Sequence, residues 1–302
     1  MKNFTIYLFS LFCVLVFAEV LLTFSPNNYS YKASFINNNP QKIKTLIIGA
    51  SHAENCINPS LLGDSVFNLG GSGKPYYYDV EVVCKNMPKM THLKNIIMTI
   101  APFQQYRSYK HNINPSDNLS ALEPYIRNMH LKYLGIHYER YDYWYYLELP
   151  NSKGNLISHI KQGRRCDSLG YSPLKKENRI KDWENNQLPQ PIDYSNNQLS
   201  LAYEENLSYL KKLASLCKYH NINLIFVSIP YYKNAQYLLP EKDVKGMYKM
   251  IDAIKQVNLS TKYYNYIYDN RFNEDDFFNA VHLDEQGTDK FTRILRHDIF
   301  YM

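Results

Sequence analysis

Three short stretches of this chain carry residue types that could do covalent chemistry together: IIGASHAENC (47–56), NLGGSG (68–73) and FFNAVHLDEQG (277–287). Ser51 follows an apolar run and a glycine. A strand-to-helix turn there would present its hydroxyl at a strand end, with its own N–H near a helix start where an oxyanion can be held. A serine in that place also commonly caps the helix. His282 precedes DEQGTDKFTRIL, a loop leading into a terminal helix. A neutral imidazole there could take the serine's proton and return it to a leaving group, provided a third group fixes its tautomer. The carboxylate expected three residues upstream is replaced by Asn279, while Asp275 and Asp276 lie just before it, within reach of a folded-back loop. His52, beside the serine, reads either as a substrate contact or as a solvent-exposed histidine at a helix start.

Positioning these groups requires a sheet. IKTLIIGA (43–50), residues 65–69, NIIMTIA (95–101), NLIFVSIP (223–230) and residues 263–268 are short apolar runs suited to strands buried on both faces. Between them Val80, Val83, Cys84 and Met87 recur at helical spacing, as do Leu210, Leu213, Ala214 and Cys217, then Val244, Met247, Tyr248 and Ile251, and finally Phe291, Ile294 and Leu295. Alternation of this kind predicts an α/β fold with a central parallel sheet, whose ligands bind at the carboxyl ends of the strands. From about 104 to 200 the alternation fails, which predicts a long insertion on the rim. Its aromatic tract YLGIHYERYDYWYYLELP (133–150) could stack on sugar rings or simply pack.

The 302 residues suffice for one large domain, and 45% hydrophobic with 21% charged residues excludes wholesale disorder. A net charge of +6, scattered rather than striped, gives nucleic acid little claim. The first 24 residues hold a single acidic charge, Glu19, in an apolar run long enough to span a bilayer, so they read as a membrane anchor or a signal segment, the uncleaved anchor being favoured. Residues 25–42, polar and aperiodic, read as a stalk, and 43–302 as the folded domain. Cys56, Cys84, Cys166 and Cys217 could form two disulfides or remain buried thiols. No CxxC or His/Cys cluster suggests a metal site.

In order and position these pieces resemble the SGNH, or GDSL-like, hydrolase superfamily: GASH with Ser51 at the nucleophile, NLGGSG with Gly73 at the second-block oxyanion glycine, and NAVHLDEQG with His282 at the base. The resemblance covers roughly 43–103 and 201–297. It implies a three-layer α/β/α sandwich, flavodoxin-like in arrangement, and an acyl-ester enzyme without metal or organic cofactor. The His-Leu-x-x-x-Gly continuation ending at Gly287 resembles the exported bacterial branch, esterases and O-acyltransferases of cell-envelope polysaccharides. That branch implies a glycan substrate outside the cytoplasmic membrane and a multi-pass membrane acyl donor as partner. The third-block Asn lacks a clear counterpart, although Gln104 offers an amide nearby. A Ser51/His282 dyad oriented by Asn279 or Asp276, a degenerate glycan-binding or assembly subunit, and chance likeness are the readings left open.

Overall fold

The structure, a computed structural model, describes residues 2–23, 25–108, 163–190 and 192–301. Most of the expected rim insertion, including its aromatic tract, lies outside the described residues. Five parallel strands, β1 (Thr45–Ile48), β2 (Val66–Asn68), β3 (Asn95–Thr99), β4 (Asn223–Ser228) and β5 (Lys262–Asn265), form one sheet in the order β2-β1-β3-β4-β5. Ile47 pairs with Ile97, which pairs with Ile225, so the centre of the sheet is β-branched and closed to water. This doubly wound order reverses direction between β1 and β3, where a crevice opens beyond the strand ends.

Two groups of helices flank the sheet. In one, α3 (Ser51–Cys56) and α4 (Pro59–Leu62) pack with α9 (Glu285–Phe300). In the other, α5 (Tyr76–Asn86) and α8 (Glu241–Val257) pack on α6 (Asn197–Tyr219), and α7 (Lys233–Leu238) is a short linking helix. The buried face of α8 is Met247, Met250, Ile251 and Ile254, rotated from the one its sequence suggests. Tyr248 is half-exposed, its hydroxyl accepting from Asn265 Nδ2 at 2.6 Å. The segment before α9 is more ordered than the expected loop: β6 (Phe277–Asn279) and β7 (His282–Leu283) pair antiparallel, with Asn279 opposite His282. All five cysteines are free thiols; Cys56, Cys166 and Cys217 are buried and Cys84 partly so.

The largest correction concerns residues 25–42. After α1 (Lys2–Thr23), whose apolar side chains from Phe4 to Val16 are exposed, there is no extended stalk. Asn27 caps α2 (Asn28–Asn38), accepting Ser30 N–H at 2.9 Å while Ser30 Oγ accepts Asn27 N–H at 3.1 Å. Ile36 enters the core and Phe35 stacks on Phe67 of β2, ring centroids 4.0 Å apart. Lys32 is 1% exposed: its stem fills the interface, and its ammonium donates to Gly70 O at 2.5 Å and lies 3.6 Å from Glu54. A helix seated by one lysine, one cap and two apolar side chains leaves no apolar period to read.

Removing one member of a buried pair strands the other charge. Lys32→Met is therefore expected to lower unfolding free energy by about 3–5 kcal/mol in denaturant titration, whereas a lysine on a solvated stalk would leave it unchanged.

Candidate active site

Ser51 is the first helical residue of α3 and Ala50 holds the cap position, with no capping side chain. The serine hydroxyl is thus not spent on the helix. It lies 2.8 Å from His282 Nε2, and His282 Nδ1 lies 3.1 Å from Asn279 Oδ1. The direction of proton donation follows from a fourth group. Val281 N–H donates to the same Asn279 Oδ1 at 3.1 Å, and a backbone N–H can only donate, so the amide oxygen must face the imidazole. Nδ1 therefore carries the proton, and Nε2 presents a lone pair to the Ser51 hydroxyl. The tautomer that an aspartate would impose is here imposed by an oriented amide.

Burial holds the His282 imidazole down to about 4, opposed by the charge of Glu54. At neutral pH the ring is an unprotonated base. His52 is 2% exposed rather than solvated, its ring 5.0 Å from that of His282 and 5.6 Å from that of Tyr231. Burial and the neighbouring His282 push it well below the usual imidazole range, and it bonds the Val281 backbone. Two histidines side by side are thus both neutral, and only His282 touches the serine.

Asp276 is drawn elsewhere. Its carboxylate accepts Asn273 N–H at 2.9 Å and pairs with Lys290 at 2.7 Å, closing the turn before β6. Asp275 pairs at the surface with Lys176. Neither orients His282, because the β6–β7 pairing presents the third residue upstream, Asn279, to the ring. The turn and α9 lie so close that a side chain at Gly287 would stand 1.9 Å from Asp276 O, which accounts for the glycine after His-Leu-x-x-x.

The NLGGSG loop passes directly over α3. A Cβ on Gly70 would stand 2.4 Å from Glu54 N, so only glycine allows the approach. Gly71 N–H goes to Gly49 O at 3.0 Å, Ser72 N–H to Glu54 at 2.9 Å, and Gly73 follows with φ 72°. Lys74, next in line, pairs with buried Asp79 at 2.6 Å and donates to Leu69 O at 2.9 Å, while Asp79 accepts Gly49 N–H at 3.1 Å. Asn68 donates to Ala53 O at 2.6 Å and accepts Gly70 N–H at 2.8 Å. Gln104 is buried in a turn after β3, where Tyr76 donates to its Oε1 at 3.5 Å.

Glu54 was not visible as a site residue in the sequence. One turn after Ser51 and 5% exposed, it accepts from Ser72 N–H, from Ser72 Oγ at 2.8 Å and from Asn28 Nδ2 at 3.3 Å, besides facing Lys32. Lys32 and these donors outweigh burial and hold its carboxyl below the usual range, so it stays ionised. The only signal was a carboxylate three residues after Ser51, one turn along the same short helix.

No family model matches the chain, and no curated protein matches it. Among solved structures it is similar to a protein from Streptococcus pneumonia provisionally named a platelet activating factor, at 9% identity and a TM-score of 0.45, over 98% of this chain and 99% of that one. A likeness that distant carries nothing about activity.

An imidazole neutral above about pH 4 predicts the direction of the rate profile. Turnover of a serine-reactive ester should fall as pH drops through about 4 and stay level near neutrality. Asn279→Asp places an anion on Nδ1, favours the imidazolium and moves that acid limb toward neutral pH. The rate gain should be about tenfold, well short of the ~10⁴ seen where an Asn leaves the wrong tautomer. An unmoved limb would show that Asn279 does not face the ring.

Proposed function

We propose that the protein is an SGNH-type acyl-ester enzyme, an O-acetyl or other O-acyl transferase or esterase of an exported or cell-envelope glycan, with Ser51 as nucleophile. The observation that carries this reading is the 2.8 Å contact of Ser51 Oγ with an imidazole whose far nitrogen is held protonated. Ser51 Oγ attacks the acyl carbonyl as its proton passes to His282 Nε2. The tetrahedral adduct collapses, His282 protonates the departing alcohol, and the acyl group remains on Ser51. Water or a sugar hydroxyl then attacks, giving its proton to the same nitrogen, and Ser51 is released.

Ser51 N–H, which at a helix start has no intrahelical acceptor, and Gly73 N–H are assigned to the oxyanion, with the Gln104 amide as third donor. His52 borders the reacting centre as a neutral wall on the substrate side. Asn279 orients the imidazole, and Glu54, a charge felt at His282 without touching Nδ1, offsets part of the cost of forming imidazolium. No metal or organic cofactor takes part in this scheme. α1 would serve as an anchor in the cytoplasmic membrane with the domain outside, near a multi-pass acyl donor. The second reading, a glycan-binding or assembly subunit without catalysis, is favoured by one feature, an amide where a carboxylate would face His282 Nδ1.

Ser51→Ala separates the two. An enzyme loses phosphonate labelling and at least about 10³-fold in ester turnover, and cells lose the change in glycan acylation. A binding subunit keeps its cellular phenotype and shows no labelling in the parent chain.

A further inference from the structure

The position of the candidate site along the chain limits its distance from whatever surrounds α1. α1 exposes a shaft of large apolar side chains, Phe4, Ile6, Leu8, Phe9, Leu11 and Phe12 among them, over a 19-residue stretch, Phe4–Leu22, long enough to cross a membrane. So continuous an apolar surface calls for lipid or protein cover. Leu22, at its end, is already 2% exposed, and α2 begins six residues later.

Asn28, the first residue of α2, touches Glu54, which lies one turn from Ser51 on α3. Six residues fully extended, two side chains meeting at hydrogen-bond distance and one helical turn set a ceiling of roughly 35 Å between the end of the apolar stretch and Ser51. An extended stalk over 25–42 would have allowed about 60 Å more.

The same Asn28 brings charge to this rim. Its Oδ1 accepts from Arg165 N–H at 2.8 Å and Cys166 N–H at 2.9 Å, so Arg164 and Arg165, both exposed, stand beside the start of α2. Arg164 is braced over the Tyr31 ring, 4.2 Å from its centroid. Two arginines beside the start of α2, which itself begins six residues past the apolar stretch, suit anionic headgroups.

We propose that the Ser51 site works at the bilayer surface, on acyl esters of sugars that are themselves held there by a lipid tail, rather than on free polysaccharide. This rests on the acyl-ester reading above and adds the substrate's location. Asn28, Lys32 and Glu54 fix the nucleophile's helix to the helix that follows the span, so the catalytic body cannot range away from the membrane. A soluble glycan gains nothing from that constraint, whereas a lipid-held ester meets the site at raised effective concentration.

The test uses the full chain in vesicles of phosphatidylcholine and phosphatidylglycerol. In one arm Phe103→Cys, whose ring lies 6.0 Å from that of His52, is labelled with a fluorescent donor in a chain carrying Cys13→Ser and Cys84→Ser. Energy transfer to headgroup-labelled lipid should report a separation of no more than about 50 Å, the roughly 35 Å ceiling plus about 15 Å from Ser51 to the probe. A longer separation overturns the proposal whether or not the protein is an enzyme.

In the other arm, an O-acetylated octadecyl glucoside in the vesicles is compared with O-acetyl glucose in solution. The vesicle-held ester should be preferred by at least about tenfold, and a flexible forty-residue insertion between Phe24 and Ser25 should erode that preference without slowing the soluble ester. Equal turnover of both esters overturns the proposal and leaves the acyl-ester reading intact. A short separation without turnover of either ester overturns the acyl-ester reading and, with it, the assignment of a lipid-held substrate.

Discussion

The buried carboxylate of Glu54 is the constraint on which the geometry around Ser51 depends. It projects from the helix that Ser51 opens, receives two hydrogen bonds from Ser72 in the loop leading to Gly73, and faces Lys32 from the helix that follows the apolar span. Buried ions are costly unless partnered on every side, so each partner is held as firmly as the charge. The helix that Ser51 opens, the glycine loop and α2 are thereby fixed to one another through a single side chain. Asn28 extends the network by binding both Glu54 and the backbone at Arg165 and Cys166.

Around that hub the charges are sorted. Lys32 pairs with Glu54, Lys74 with Asp79 and Lys290 with Asp276 around the candidate site. Among the described residues His282 has no carboxylate in contact, only an amide oxygen whose direction Val281 N–H dictates. The result is an imidazole of low basicity with its lone pair aimed at a hydroxyl. It is always ready to accept a proton near neutrality, yet poorly compensated once it has one. The field of Glu54 is the compensation that remains.

The strands and the pair Ser51 and His282 were legible because their signals are local. An apolar run ending in Gly is a buried strand with a turn after it, and a histidine before an amphipathic helix can be read in one dimension. Asn279 was legible as a position three residues from His282, though its competence was not. That depends on which end of its amide faces the ring, and the Val281 N–H, donating to Oδ1, settles the matter. Asp276, equally plausible by spacing, was excluded by Lys290, fourteen residues away on α9.

Residues 25–42 mark the limit most clearly. Their polar composition suggested a stalk, since hydrophobic periodicity is the signal a sequence offers for packing. A lysine that buries its stem and donates a hydrogen bond to a carbonyl thirty-eight residues away leaves no such period. The sequence by itself determined the order of strands and helices, the serine at a strand end and the imidazole before the last helix, because short-range sterics and side-chain polarity specify these. Only the tertiary structure decided which groups share a proton and which charges are buried together, and so that the segment after the apolar stretch is bound to the helix Ser51 opens, because low-dielectric contacts join residues that are remote in the chain.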